Sequence, residues 1–297
     1  MDGLLIIDKP SGMTSADVVR VVQKRLRCKT GHLGTLDPFA SGVLPLCLGE
    51  GTKIAQFLNA ADKEYAGIIR LGQQTDTGDL TGKVIAAAPL PSLSAAQLVA
   101  TARRFQGDLR QLPPMYSAIK QQGTPLYKLA RRGMVVERTE RVIRVDAITL
   151  TCPQPGAIQF VVACSKGTYI RVLAEDIAAS LGTVGHVEVL RRTRFGVYTL
   201  QDAIAIGALE SGSPPLIGLR AALPGVPEIQ LDAAGARAAR AGYQPLLASI
   251  SLGHEQTVAK LIDPAGTLVA VIVREPSGRW RFARVFAQVD VAASVPG

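Results

Sequence analysis

RVIRVDAITLTCPQPGAIQFVVACS, from Arg141 to Ser165, decides the fold. RVIRVDAITL and AIQFVVACS are both strand-like, and the short break TCPQPG between them, with its prolines and glycine, suits an antiparallel hairpin. Downstream the chain turns at Lys166 and Gly167. Thr168 is then placed to cap a helix that turns Ile170, Leu173, Ile177 and Leu181 inward and stops at Gly182. That helix would carry Tyr169 and Arg171 in an exposed first turn. Positive charge there opposes the helix dipole, so Arg171 is expected to face an anion. VGHVEVLRRTRFGVYTL supplies a further strand.

Upstream, KEYAGIIRLG alternates as a strand with Tyr65, Gly67, Ile69 and Leu71 on one face, and TDTGDLTG follows as a polar loop. Ser94 and Gln97 form a capping box ahead of Leu98, Ala102 and Phe105. LPPMYSAIKQQGTPLYKLARRGMVVER reads as an exposed excursion whose short helix from Pro125 ends at Gly133. The opening GLLIIDKP is an apolar strand ending at Lys9 and Pro10. Ser15 is the expected cap of a helix with Val18, Val19, Val22 and Leu26 on one face. Strands at hairpin spacing interleaved with helices give an α+β fold: a mixed, largely antiparallel sheet flanked by helices and loops. ALESGSPPLIGLRAALPGVP marks a boundary. Beyond it, a helix capped by Asp232 and the runs TVAKLI, TLVAVIV and RWRFARVF predict a small C-terminal β-rich domain. The expected division is 1–224 and 225–297, with an insertion at about 111–140.

The 297 residues are 47% hydrophobic and 19% charged, a folded globular composition. No run of apolar residues is long enough to span a membrane, and MDGLLIIDKPSG resembles no secretory leader, so a cytoplasmic chain is expected. Cys28, Cys47, Cys152 and Cys164 form no CxxC pair, which predicts free thiols, and no metal site is expected. Lys and Arg exceed Asp and Glu by 33 to 24, and arginines recur in short clusters such as Arg191 to Arg194. That surplus favours an anionic polymer, a nucleic acid rather than a membrane, as partner. GEGTKIAQFL lacks the GxxxxGK[ST] order of a phosphate-binding loop, which argues against nucleoside triphosphates.

GHLGTLDPFASGVLPLCLGEGTK, from Gly31 to Lys53, holds the most unusual carboxylate. Pro38 pushes Asp37 toward an extended backbone, and Gly31 and Gly34 permit crowded turns. A tight turn and a functional loop fit those residues equally well.

Taken together and in order, these stretches resemble the bacterial tRNA pseudouridine-55 synthases of the TruB family. GLLIIDKPSGMTS resembles the family's opening strand and Lys-Pro turn, and Gly31 to Lys53 its catalytic loop, which implies that Asp37 is the nucleophile. KEYAGIIRLGQQTDTGDLTG resembles the motif whose tyrosine, here Tyr65, lines the uracil pocket. PPMYSAIK opens the segment the family uses to grip RNA. SKGTYIRVLAEDI resembles the motif whose arginine, here Arg171, pairs with the aspartate, by paired hydrogen bonds if the guanidinium fork closes on it. HVEVLRR puts Leu190 against the pocket, and the C-terminal module stands where the family has a PUA domain. Leu33 replaces a usual Thr, and Gly185 a common Ala. The resemblance implies isomerisation of the T-loop uridine of tRNA. The substrate-binding residues would be Tyr65, Arg171, Leu190, His32, Tyr169 and Lys9, with Lys120, Arg131 and Arg132 on RNA. For His32 a loop-bracing hydrogen bond is an equal alternative to RNA contact. Because the reaction has no net redox change and adds nothing, no cofactor is expected. The partner would be the T-arm stem-loop, with a monomeric enzyme needing no protein partner. A non-catalytic tRNA-folding protein and an isomerase of another RNA are the competing readings.

Overall fold

Arg141–Gln154 and Ala157–Cys164 form the expected hairpin in the computed structural model, which describes residues 1–117, 119–121, 123–210 and 214–287. The turn is tighter than TCPQPG suggested. Pairing continues to Gln154 opposite Ala157, leaving only Pro155 and Gly156 to turn, with Gly156 at φ +79°. Ile143, Val145, Ile148 and Leu150 are buried. The odd spacing from Val145 to Ile148 follows from a bulge between Val145 and Ala147, which keeps the apolar set on one face.

In spatial order the large sheet runs Ile204–Ala205, Gly3–Lys9, Ser41–Leu48, Gly185–Phe195, Lys63–Leu71, Ala157–Cys164, Arg141–Gln154 and Gly107–Gln111. Most pairings are antiparallel. Gly3–Lys9 with Ile204–Ala205, and Gly185–Phe195 with Ser41–Leu48, are parallel, so the sheet is mixed as expected. Helices Ser15–Leu26, Ala95–Arg104 and Ile170–Ser180 cover one face, packing Val18, Val22, Leu98, Ile170 and Leu173 against Leu5, Ile7, Leu44 and Ile69. Leu4, Ile6, Val43 and Cys47 point the other way into a second core. Burial on both faces is why GLLII and VLPLCL read as unbroken apolar runs.

A second sheet, Glu228–Gln230, Val258–Ile262, Leu268–Arg274 and Trp280–Val285, is the expected β-rich module, with Asp232 accepting from Gly235 N at the start of its helix. Its Ile262, Leu268, Val271 and Phe286 belong to the same core as Leu4 and Ile6. The stretch read as a boundary is woven into that contact: Ile217 exchanges two 2.8 Å backbone hydrogen bonds with Leu4, and Ala222 and Leu223 are buried. Ser211 to Ser213 of it lie outside the described residues. GEGTK is a 3-10 turn, Gly49–Lys53, on which Val285 and Ala287 dock: Lys53 Nζ donates to Val285 O at 2.9 Å and Ala287 N to Glu50 at 3.0 Å.

Two expected helix caps are corrected. Thr14, not Ser15, caps the first helix, in a capping box with Asp17. Tyr169, not Thr168, is the N-cap of Ile170–Ser180. It uses no side-chain cap, and the Thr168 hydroxyl donates to Ser165 O instead. Gly185 has a local reason. A Cβ there would stand 2.9 Å from Ala178 Cβ and 3.0 Å from Arg70 O, closer than carbon tolerates.

Candidate active site

Asp37 lies in the loop between the short strand Thr30–His32 and the strand Ser41–Leu48. Residues around it are anchored in opposite directions. Leu33 is 1% exposed in the core shared with the C-terminal module, while Leu36, Phe39 and Ala40 belong to the helix-side core. Leu33 is thus anchored by burial of its side chain. Gly34 is required where the loop crosses between them. It has φ +60°, and a Cβ would meet the Phe195 ring at 2.8 Å.

The segment Lys9 to Ser15 grips the loop from below. Lys9 Nζ donates to Pro10 O, Met13 O and Pro38 O at 2.9, 2.6 and 3.3 Å, Ser11 Oγ donates to Phe39 O, and Gly12 N donates to Pro38 O. Lys9 was expected to touch substrate. It is instead fully buried under the loop, with its pKa lowered to about 8 chiefly by burial. Its chemistry is that of a brace.

Arg171 meets Asp37, the pairing that the family resemblance implied: Nε stands 2.9 Å from Oδ2. The expected exposure is wrong, since Arg171 is only 5% exposed. The expected two-pronged pairing is replaced as well. Nη1 donates to Thr77 O and Nη2 to Tyr116 O, both at 2.7 Å, so the fork is fixed by backbone carbonyls from two loops and presents Nε to the carboxylate. Asp79 Oδ2 lies 3.7 Å from Nη1. Oδ1 of Asp79 accepts from Thr77 Oγ1, Thr81 N and Thr81 Oγ1, which fixes this second carboxylate. Asp37 itself opens 36% of its side chain to the cleft. Surrounding protein still raises its pKa through desolvation, with Arg171 opposing and Asp79 adding to the rise.

The cleft above Asp37 has a volume of about 370 Å³ and is lined by Tyr65, Tyr169, Arg171, Leu190 and Arg192, with Tyr116 and Ser117 from the insertion. That is the size of an ordinary small-molecule site. Tyr65 and Arg192 are register partners on adjacent strands, as are Gly67 and Leu190. The sheet therefore places Tyr65 and Leu190 as two walls. Tyr169 is held through its backbone by Gln111, whose side chain accepts from Tyr169 N at 2.8 Å and donates to Tyr169 O at 3.1 Å. His32 lies outside this lining, with a buried Nδ1 that has no hydrogen-bond partner among the described residues, so no loop-bracing bond is made through that atom within them. Lys120, Arg131 and Arg132 lie away from the cleft, exposed on the insertion. Arg131 stacks 5.7 Å from the Tyr127 ring.

Sequence reasoning missed Arg192 and Asp79. Within LRRTR, Arg192 looks like one of a solvated cluster, yet it is 1% exposed, donates to Val43 O and Gly34 O, and lines the cleft beside its register partner Tyr65. The signal was alternation: Leu190 inward makes Arg192 inward too. Asp79 was legible only as a turn residue. The described residues bring together no group of three or more His, Cys, Asp or Glu that could hold a metal, and no helix among them is long and apolar enough to cross a membrane.

Comparison with known proteins places this geometry. Residues 20–170 match the N-terminal domain model of the TruB family pseudouridylate synthases, and residues 171–212 match a tRNA pseudouridylate synthase B C-terminal domain model. The chain belongs to the TruB family. Over 217 residues it is 48% identical to tRNA pseudouridine synthase B of Psychrobacter cryohalolentis, a match covering 71% of this chain and 60% of that protein. The synthase of the same name from Burkholderia lata is 49% identical over 70% of this chain and 65% of its own length. The one from Bordetella avium is 43% identical over 74% and 92%. Among solved structures, a chain of a Cbf5-Nop10-Gar1 complex superposes with a TM-score of 0.65 at 26% identity, covering 91% of this chain and 78% of that one. A chain from an H/ACA RNP bound to a substrate RNA containing 2'-deoxyuridine shares the fold, with a TM-score of 0.67 at 22% identity over 97% and 86%.

Proposed function

We propose that this chain isomerises uridine to pseudouridine in the T-loop of tRNA, with Asp37 as nucleophile on a base flipped into the cleft. The observation that carries the reading is the Asp37–Arg171 pair at the base of a pocket walled by Tyr65 and Leu190. Isomerisation breaks the N1–C1′ bond, turns the base and joins C5 to C1′; the C5 proton leaves and N1 regains one, so no redox partner enters. A carboxylate can form and release the transient covalent bond. Asp37 must be ionised to do so, and Arg171 counters the burial that disfavours this. Flipping costs a few kcal/mol, and stacking on Tyr65 returns about 1 to 3 kcal/mol.

The net positive charge and the exposed Lys120, Arg131 and Arg132 support phosphate contacts from an insertion at about 111–140. The names of the relatives support tRNA as the substrate. The reading divides the chain into a synthase domain, 1–224, and a PUA-like RNA-binding domain, 225–297, acting as a cytoplasmic monomer on the isolated T-arm. The test is Asp37→Asn assayed on an unmodified T-arm stem-loop by mapping pseudouridine. Product should vanish while RNA affinity stays within about threefold, because a neutral isostere keeps the shape of the site and loses the nucleophile. Full activity in Asp37→Asn would overturn the assignment. A wild-type protein that binds the RNA without modifying it would favour the non-catalytic reading.

A further inference from the structure

We propose that Ser15 is a positioning residue for Asp37, an inference that rests on the reading of Asp37 as nucleophile. Its side chain is 2% exposed and, as Thr14 supplies the helix cap, is free of the capping role its sequence position suggests. The hydroxyl instead bonds one residue twice: Leu36 N donates to Ser15 Oγ at 2.9 Å and Ser15 Oγ donates to Leu36 O at 3.1 Å. A residue in a strand has its N–H and C=O satisfied in this way by a neighbouring backbone. Here one hydroxyl does both, and it does so at the residue immediately before Asp37.

The consequence for the carboxylate is geometric. On its other side, Pro38 O accepts from Gly12 N and Lys9 Nζ, and Phe39 O accepts from Ser11 Oγ. The backbone on both sides of Asp37 is therefore tied to the 9–15 segment, while the Asp37 side chain projects to Arg171 Nε. Of these ties, only the one at Ser15 holds an N–H and a C=O of the same residue. Leu36 is buried at 3% exposure, so water cannot replace the lost bonds without entering the core. Without the hydroxyl the Leu36 peptides are free to rotate, and the carboxylate moves relative to Arg171 and the bound base.

The experiment compares Ser15→Ala, Ser15→Cys and Thr14→Ala with wild type, using full-length protein and unmodified transcribed tRNA. kcat, KM and Tm are measured for each. Thr14→Ala removes the cap of the same helix and so lowers stability without touching the loop. Ser15→Ala should lower kcat about 10- to 100-fold with KM within about twofold, since small misplacement of a reacting group acts on the chemical step. Thr14→Ala should lower Tm while leaving kcat within about twofold. Ser15→Cys keeps the volume, weakens both bonds and should fall between; if Ser15→Ala does not fold, a kcat loss in Ser15→Cys decides the matter. A folded Ser15→Ala with wild-type kcat overturns the proposal. So does an equal kcat loss in Thr14→Ala, which would make the effect one of helix stability. Asp37→Asn, run in parallel, separates the two ideas: if it is active, the nucleophile assignment fails, whereas an inactive Asp37→Asn beside a fully active Ser15→Ala defeats only the role of Ser15.

Discussion

The Asp37 loop and the insertion that follows Gln111 are both irregular, yet they are built on opposite principles. In the loop, Leu36, Phe39 and Ala40 are buried, and the backbone on each side of Asp37 is hydrogen-bonded to the 9–15 segment. In the insertion, Met134 and Val135 are 49% and 81% exposed, the secondary structure among the described residues is the short helix Leu126–Ala130 with two two-residue strands, and Arg131 and Arg132 stand in solvent. The role proposed for Asp37 requires it to hold its place to a fraction of an ångström. The phosphate contacts proposed for the insertion work by charge and tolerate looser geometry. The two are linked through Arg171, where the insertion supplies Tyr116 O as acceptor to the guanidinium that faces Asp37.

The contrast can be broken most directly by amide hydrogen exchange. Leu36 N–H, bonded to a buried hydroxyl, should exchange roughly a thousandfold more slowly than Val135 N–H, because protection follows burial and local contact density. Equal rates would erase the distinction. Next in size, Arg171→Met should lower kcat about 100-fold or more. It should also shift the acid limb of the pH–rate profile upward, since it removes the counter-charge that offsets the desolvation of Asp37. An unchanged limb would show that Arg171 does not set the ionisation of Asp37.

A smaller effect is expected from the double variant Arg131→Ala, Arg132→Ala: affinity for tRNA lower by about tenfold at moderate salt, a log–log salt slope shallower by about 2, and kcat unchanged. A fall in kcat instead would mean that the grip and the chemistry are not separable. The smallest concerns Lys9. Its folded pKa of about 8 lies below the usual lysine value of 10.5, so the unfolded chain binds more protons between those limits and stability contributed by this group rises with pH there. Relative to Lys9→Met, wild type should gain about 1 kcal/mol in unfolding free energy from pH 8 to pH 9. A slope of the opposite sign would show that Lys9 is stabilised as the cation.

The architecture was legible because strand alternation, turns and two of the expected caps in this chain agree with the tertiary answer. The Arg141–Ser165 hairpin, the Ser94–Gln97 capping box and the Asp232 cap are all present. Asp37 and Arg171 became legible as a pair through motif resemblance and through a misplaced charge at a helix start. What escaped were residues whose local chemistry permits one role and whose surroundings impose another. Ser15 could cap a helix but lies one residue too deep, Arg192 resembles its exposed neighbours, and Asp79 resembles any turn aspartate. Arg171 was expected in solvent because helix periodicity says nothing of the Thr77 and Tyr116 loops that close over it.

Leu4 and Ile6 share one apolar cluster with Ile262, Leu268 and Phe286. During synthesis, the first of these emerge long before the last. At bacterial rates of about 5 to 20 residues per second, the interval between Leu4 and Phe286 is roughly 15 to 60 seconds. Through that interval the cover on that side of the Gly3–Lys9 strand comes from earlier members of the cluster, Leu33, Val43, Phe195 and Leu223 among them. That apolar cluster is therefore complete only once Ile262, Leu268 and Phe286 have been added to it.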